Sequence, residues 1–368
     1  MKGSEMKEIS RRKFMKQALV MGTAISTFPT ILAGESRARD IPRIAPHPNV
    51  DNLRVVGITD QAMTRDIETY CDWSRQNELV VPKPVWENID KLASGLVETG
   101  NPEKAWRTIF IKPPRKSWSD TVVAIKTNNI AQQHTRSAVM AKICHVMTQI
   151  LGVNSDNINI YDACHGEGIS RYTPFEGLPE GVHIRNQWGG SSTRTPIPEP
   201  WKKGKKSAKS LKHLVNGSVD ILINIALCKA HDDKFGGFTM TMKNHFGTFS
   251  PWPGHSWGGT DYLMAINKTP EILGAMDDRT GKVLFPRQQL CFIDALWASE
   301  GGPGGNPSHQ PNFLAMGVLS PVVDFQMATK FRRDKMGWQP DMSTTRRMLK
   351  EFGYEESDLP KGGNIMEV

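Results

Sequence analysis

The chain has no paired-cysteine motif. Its five cysteines, at positions 71, 144, 164, 228 and 291, are scattered, and none stands in a CxxC pair. That scatter excludes a zinc ribbon and a standard iron–sulfur run, which need thiolates gathered by short turns. Cys144, Cys164, Cys228 and Cys291 fall in apolar strand or helix patterns, where a free thiol packs as a small hydrophobe. A GxxxxGK[ST] loop and a GxSxG elbow are also missing, which argues against a P-loop ATPase and an α/β-hydrolase. The histidines show neither HExxH nor HxxxH spacing on a helix, and no repeat of fixed period runs through the chain. Charge is not strongly one-sided. The net charge is +8, but the first 33 residues hold six Lys/Arg and two Glu, so the remainder carries +4. That is a weak electrostatic case for nucleic acid, and the lysine cluster at 202, 203, 205, 206, 209 and 212 has no interleaved aromatic residues.

What is present begins with an address. Ser10-Arg11-Arg12-Lys13-Phe14 precedes an uncharged run from Gln17 to Ala33. Charged region, twin arginine, modest apolar core and small residues follow in the order of a twin-arginine export signal. The run contains Gly22 and Pro29 and is short for a membrane span, so no stable span is expected unless the signal stays uncleaved. The expectation is a periplasmic or other extracytoplasmic protein that meets the twin-arginine translocase during export. That route carries proteins folded before export, often with a cofactor already loaded.

The rest, with 38% hydrophobic and 23% charged residues, fits a folded α/β protein. Leu53–Ile58 reads as a strand, and Val85–Val97 has helical apolar spacing. Pro102 opens a further short helix. Thr121–Lys126 is a buried strand, His134–Leu151 an amphipathic helix closed by Gly152, and Asn157–Ala163 the next strand. Strand, helix, strand is a βαβ unit, which implies parallel neighbours and ligands at the carboxyl ends of strands. Further strands are read at Val219–Leu227, Leu290–Leu296 and Leu314–Val323, with a helix from Asp324 to Arg333 and a loop from Thr248 to Tyr262. The fold class is α/β: a mostly parallel sheet of βαβ units, helices on both faces, and long loop excursions. Residues 1–38 read as the signal segment, 39–89 as an arm with the first strand and helix, 90–335 as the main domain and 336–368 as a tail.

The polar residues concentrate between Asp220 and Gly247. Lys229, His231, Asp232, Lys243, Asn244 and His245 follow one apolar strand, with Thr239 and Gly247 among them. Lys126, Asn128 and Asp162 end two other strands, and Asp294 precedes a glycine turn that includes Gly301 and Gly305. All of these are expected to converge on one edge of the sheet. Lys126, Lys229 and Lys243 suit a carboxylate or phosphate; equally, each could pair with Asp162, Asp232 or Asp294, and the sequence leaves both open. Lys229, Lys243 and His231 are the catalytic candidates, with His231 as general acid or base. His231, His245 and Asp232 are candidate ligands for a divalent metal.

These segments together resemble the domain-of-unknown-function 362 (DUF362) family over roughly residues 90–335. The resemblance rests on Lys126 and Asn128; Lys229 and His231; Thr239, Lys243, Asn244 and Gly247; and Asp294, Glu300, Gly301, Pro303 and Gly305. It implies a shared fold and site location, with Lys126, Asn128, Asp162, Thr239, Asn244, Gly247, Asp294, Gly301 and Gly305 about a ligand or cofactor. It assigns no reaction. The expected function is binding of a small anionic substrate or cofactor, with redox or proton-transfer chemistry open. The alternative is a non-catalytic envelope binding protein or a subunit of a redox complex.

Overall fold

The computed structural model describes residues 41–130, 133–162, 174–186, 192–201, 207–277, 279–302, 304–360 and 365–368. The export segment, Cys164, Lys202, Lys203, Lys205, Lys206 and Pro303 lie outside them. The strands, in chain order, are β1 (Val56–Thr59), β2 (Val123–Lys126), β3 (Asn129–Ile130), β4 (Gln133–His134), β5 (Ile158–Asp162), β6 (His183–Asn186), β7 (Ser192–Pro196) and β8 (Ser207–Leu211). They continue as β9 (Ile221–Ala230), β10 (Phe238–Thr239), β11 (Gln288–Ser299), β12 (Phe313–Gly317) and β13 (Met366–Glu367). The main sheet runs β13-β1-β12-β11-β9-β2-β5-β6, with β10 attached to β9. β11, β9, β2, β5 and β6 are parallel neighbours, β13 is parallel to β1, and β12 is antiparallel to both β1 and β11. The expected α/β class and mainly parallel sheet are therefore observed.

Alternation along the strands builds two cores. Ala124, Leu222, Ala226 and Cys228 face one apolar layer, whereas Val123, Ile125, Ile221, Ile223 and Ile225 face the other. The second layer is covered by the helix Pro82–Leu96, whose Val85, Ile89, Leu92 and Leu96 are fully buried on one stripe. Pro82 opens that helix at a position where its missing N–H costs nothing. Burial of each such side chain contributes roughly 1.5–3 kcal/mol. The helix Ser137–His145 continues as a wider turn through Leu151 and ends at Gly152, whose φ of 83° is the left-handed closure a glycine permits. It joins β2 to β5 as the expected βαβ crossover. The first layer is covered by the helices Gly259–Asn267, Ser320–Gln326 and Met342–Lys350.

Two expectations are corrected. The stretch Thr248–Tyr262 is not wholly loop: it winds into a wider helical turn at Gly254–Gly258, and the helix Gly259–Asn267 begins inside it. Tyr262, Leu263, Met264 and Ile266 are buried there, and that apolar run draws the helix start back into the glycines. The strand expected at Leu314–Val323 stops at Gly317, and a helix starts at Ser320 with Pro321 in its first turn. An added Cβ at Gly317 would sit 2.6 Å from Val323, so the chain turns back closely on itself there. In the tail, Asp341 caps Met342–Lys350 through the Ser343 and Thr344 amides.

Candidate functional site

The carboxyl ends of β2 and β5 carry a buried ion pair. Lys126 Nζ lies 3.1 Å from Asp162 Oδ1, and both side chains are essentially inaccessible. Asn244, from the four-residue helix Thr241–Asn244, closes the arrangement. Its Oδ1 accepts from Lys126 Nζ and Asn128 Nδ2, each at 3.0 Å. Its Nδ2 donates to Asn224 Oδ1 at 2.8 Å and to the Ile225 carbonyl at 3.1 Å. One amide side chain thus spends all its capacity joining β2, β9 and the short helix. Gly247 is required by space, since an added Cβ would stand 2.2 Å from Asp162 Oδ1 and 2.5 Å from Lys126 Cε. Lys126, Asn128, Asp162, Asn244 and Gly247, singled out separately in the sequence, form one network.

His245 extends the network inward. Gln288 Nε2 donates to Ser320 Oγ, so its Oε1 is free to accept from His245 Nε2 at 2.7 Å. Nδ1 then accepts from Thr248 Oγ1 at 3.0 Å, and Tyr161 donates its hydroxyl proton to Thr248 Oγ1 at 2.7 Å. The tautomer follows from this chain of donors. Burial holds the His245 imidazole down to about 3. Asp324 holds the front of the short helix, accepting from the Thr241 amide, the Thr241 hydroxyl and the Met242 amide. Burial pushes its carboxyl up to about 7, against the pull of those donors.

A second group lies around Lys243, the residue before Asn244. Lys243 Nζ stands 4.8 Å and 4.6 Å from the ring centroids of Phe235 and Phe246, and donates to His255 Nε2 at 3.3 Å. The His231 and His255 rings stack at 5.7 Å. Burial, then the Lys243 charge, holds His231 down to about 3 and His255 down to about 4. The Asp232 amide donates to His231 Nδ1 at 2.7 Å, so the proton of the neutral ring sits on Nε2. Asp232 Oδ2 is 3.8 Å from that same Nδ1, but beside a neutral ring this is no ion pair; the carboxylate pairs with Lys234 at 3.5 Å. His231 is therefore placed with its Nε2–H as a donor, the acid side of the general acid or base role considered from sequence.

The remaining residues do not join these two groups. Lys126 is the register partner of Asn224, and Lys229 lies five residues further along β9. An odd count places Lys229 on the opposite face, where its Nζ donates to the Gln133 carbonyl at 3.3 Å. Thr239 is its cross-strand partner on that side. Asp294 is buried on the same side, 3.4 Å from Arg136 Nε, and also accepts from the Arg136 amide. Gly301 and Gly305 are exposed, with nothing within 4 Å of an added Cβ. The expected single convergence is thus split by strand parity. The proposed metal set also fails to assemble. Among the described residues no three His, Cys, Asp or Glu side chains form a metal-holding group, and both His245 nitrogens are occupied.

Several participants were not singled out from sequence. Asn224 had a signal, as a polar residue inside an apolar strand. His255 had one too, as a histidine soon after His231 and His245 in a loop rich in Trp and Gly; Gln288 and Asp324 had none, because their partners are fixed only by tertiary contact.

No curated protein and no solved structure matches the sequence. The pattern of a domain of unknown function, DUF362, matches residues 123–328, more than half of the chain, and spans β2 through the helix Ser320–Gln326, including both residue groups. The chain belongs to the DUF362 family.

Proposed function

We propose that this protein binds a small anionic substrate or cofactor at Lys243, with the neutral His231 Nε2–H as a second donor. The observation that carries this reading is the shared placement of an ammonium and a neutral imidazole N–H among aromatic rings. Lys243 is 7% exposed, close enough for its charge to depress His231, and no described residue accepts from His231 Nε2. Low local polarity strengthens both donors toward a carboxylate or phosphate oxygen. An oxygen that gains negative charge during proton transfer would be stabilised by the same two groups. His255 supports the seat by accepting from Lys243 and fixing its direction.

Isothermal titration with acetate, oxalate and inorganic phosphate tests the reading. Lys243→Met is expected to weaken the tightest of the three by about tenfold or more, the worth of one charge-assisted hydrogen bond. The wild-type affinity for oxalate, which keeps both of its charges over this span, should stay level from pH 8 to pH 6. Both imidazoles are neutral above about 4, so added positive charge, and tighter binding, arrives only below that point. Equal affinity in Lys243→Met, or tightening around the ordinary histidine range, would overturn the assignment.

We also propose export by the twin-arginine route, supported by Ser10-Arg11-Arg12-Lys13-Phe14 and the uncharged run after it. Replacing Arg11 and Arg12 together by Lys is expected to leave the protein in the cytoplasm of a cell fractionated after expression. Unchanged extracytoplasmic recovery would exclude this route.

A further inference from the structure

Arg332 is a buried cation that the network around Asn244 does not use. It ends the helical segment that follows Ser320–Gln326 and is 3% exposed. Its guanidinium carbon lies 4.4 Å from the centroid of the Trp338 ring, and the Trp338 amide donates to the Arg332 carbonyl at 2.9 Å. That indole also meets His309 edge-on, with centroids 4.8 Å apart. His309 is tied to β11 by backbone bonds with Ala298, and Ala298 is the register partner of Cys228 on β9. Cys228 feels the Arg332 charge, which lowers its thiol against the larger upward push of burial. Arg332, Trp338, His309 and Cys228 thus meet at the carboxyl ends of β9 and β11.

The guanidinium is incompletely satisfied. Nε and Nη1 are buried and have no hydrogen-bond partner, and no described carboxylate pairs with the residue. Asp324, two turns earlier on the same helical stretch, is committed to Thr241 and Met242. A buried charge without a counter-charge is strongly unfavourable, more so than an unpaired neutral group. Stacking on Trp338 covers the flat face of the guanidinium and leaves its in-plane N–H groups to bond at the edge. A planar or tetrahedral oxyanion is the complement of such an edge, and His309 adds a second nitrogen-bearing ring beside the same indole.

We propose that Arg332, backed by Trp338 and His309, is a binding site for an anionic group of the carboxylate or phosphate class. The site is separate from Lys243 and shares no residue with it. Its occupant supplies the counter-charge that the polypeptide lacks.

The test is thermal unfolding of the full chain in chloride, acetate or inorganic phosphate at matched ionic strength. Acetate and phosphate distinguish the two anion types. Wild type is expected to gain at least about 2 °C in one of them over chloride. Arg332→Met should lose the share of that gain that survives in Lys243→Met and, in chloride, melt at or above the wild-type temperature, because an apolar group replaces an unpaired buried charge. Lys243→Met should lose only the share that the proposed Lys243 seat contributes and keep the rest. Arg332→Lys, which retains the charge without the planar edge, should keep it only at about tenfold higher anion concentration, and it replaces Arg332→Met if that variant does not fold. The proposal is overturned if wild type is indifferent to both anions, if Arg332→Met responds as wild type does, or if it melts well below wild type in chloride. Loss of the gain in Lys243→Met with retention in Arg332→Met also overturns it, while leaving the Lys243 site intact.

Discussion

Lys126→Met is expected to lower the stability of the folded chain by about 3–5 kcal/mol, the cost of removing one partner of a buried ion pair. The Lys126 and Asp162 side chains are 1% and 2% exposed, so water cannot take the place of the missing ammonium. Asn244 Oδ1 loses one of its two donors in the same step. Adding Asp162→Asn should recover a large part of the loss. It removes the carboxylate charge that faced Lys126 and keeps an acceptor for the Asn129 amide, which donates to Asp162 Oδ2 at 2.9 Å. The measurement is urea unfolding at neutral pH for the two single variants and the double variant. Simple additivity of the two losses would mean that the pair does not interact, and would remove Lys126 and Asp162 from the network.

Gly247→Ala is expected to cost about 3 kcal/mol or more, at or beyond the upper end for overpacking a well-filled interior. The reason is space. The Gly247 backbone lies outside the left-handed region, so an alanine can adopt it. The added methyl would meet Asp162 Oδ1 at 2.2 Å, Lys126 Cε at 2.5 Å and Lys126 Nζ at 2.8 Å. None of these can retreat without opening the ion pair, so overpacking and charge separation add. Gly301→Ala is the matched control. It meets nothing within 4 Å and should change stability by no more than about 0.5 kcal/mol, as at an ordinary surface position. Equal denaturation midpoints for the two alanine variants would show that Gly247 is not pressed against the pair.

These two positions also show what the sequence made legible. Lys126, Asn128 and Asp162 stand directly after short apolar strands, and a βαβ unit brings such strand ends together whatever the details of packing. The short apolar runs and the amphipathic stretch after His134 located those strands, and the glycine at 152 marked the helix end. Lys229 was harder. Its face depends on the Lys126–Asn224 register, which is a long-range fact about two strands nearly a hundred residues apart. Asp324 and Arg332 left no trace, since a polar residue on a helix is unremarkable until its neighbours are known. The front of the Gly259–Asn267 helix was hidden for a different reason: glycine and proline signal a loop locally, and buried Tyr262 and Leu263 override them.

The four-residue helix Thr241–Asn244 has a consequence of its own. Asn244 is fastened to β2 and β9, Asp324 grips the opposite end, and Lys243 reaches out between them. A segment of one turn has no slack, so Lys243 cannot shift without turning Asn244. Occupancy of the ammonium by the proposed anion is therefore expected to be linked to the integrity of the Lys126–Asp162 pair. By reciprocity, any change in the anion's affinity on loosening the interior pair equals the change in the pair's stability on binding the anion. The short helix is the element through which the proposed seat and the buried ion pair share that free energy.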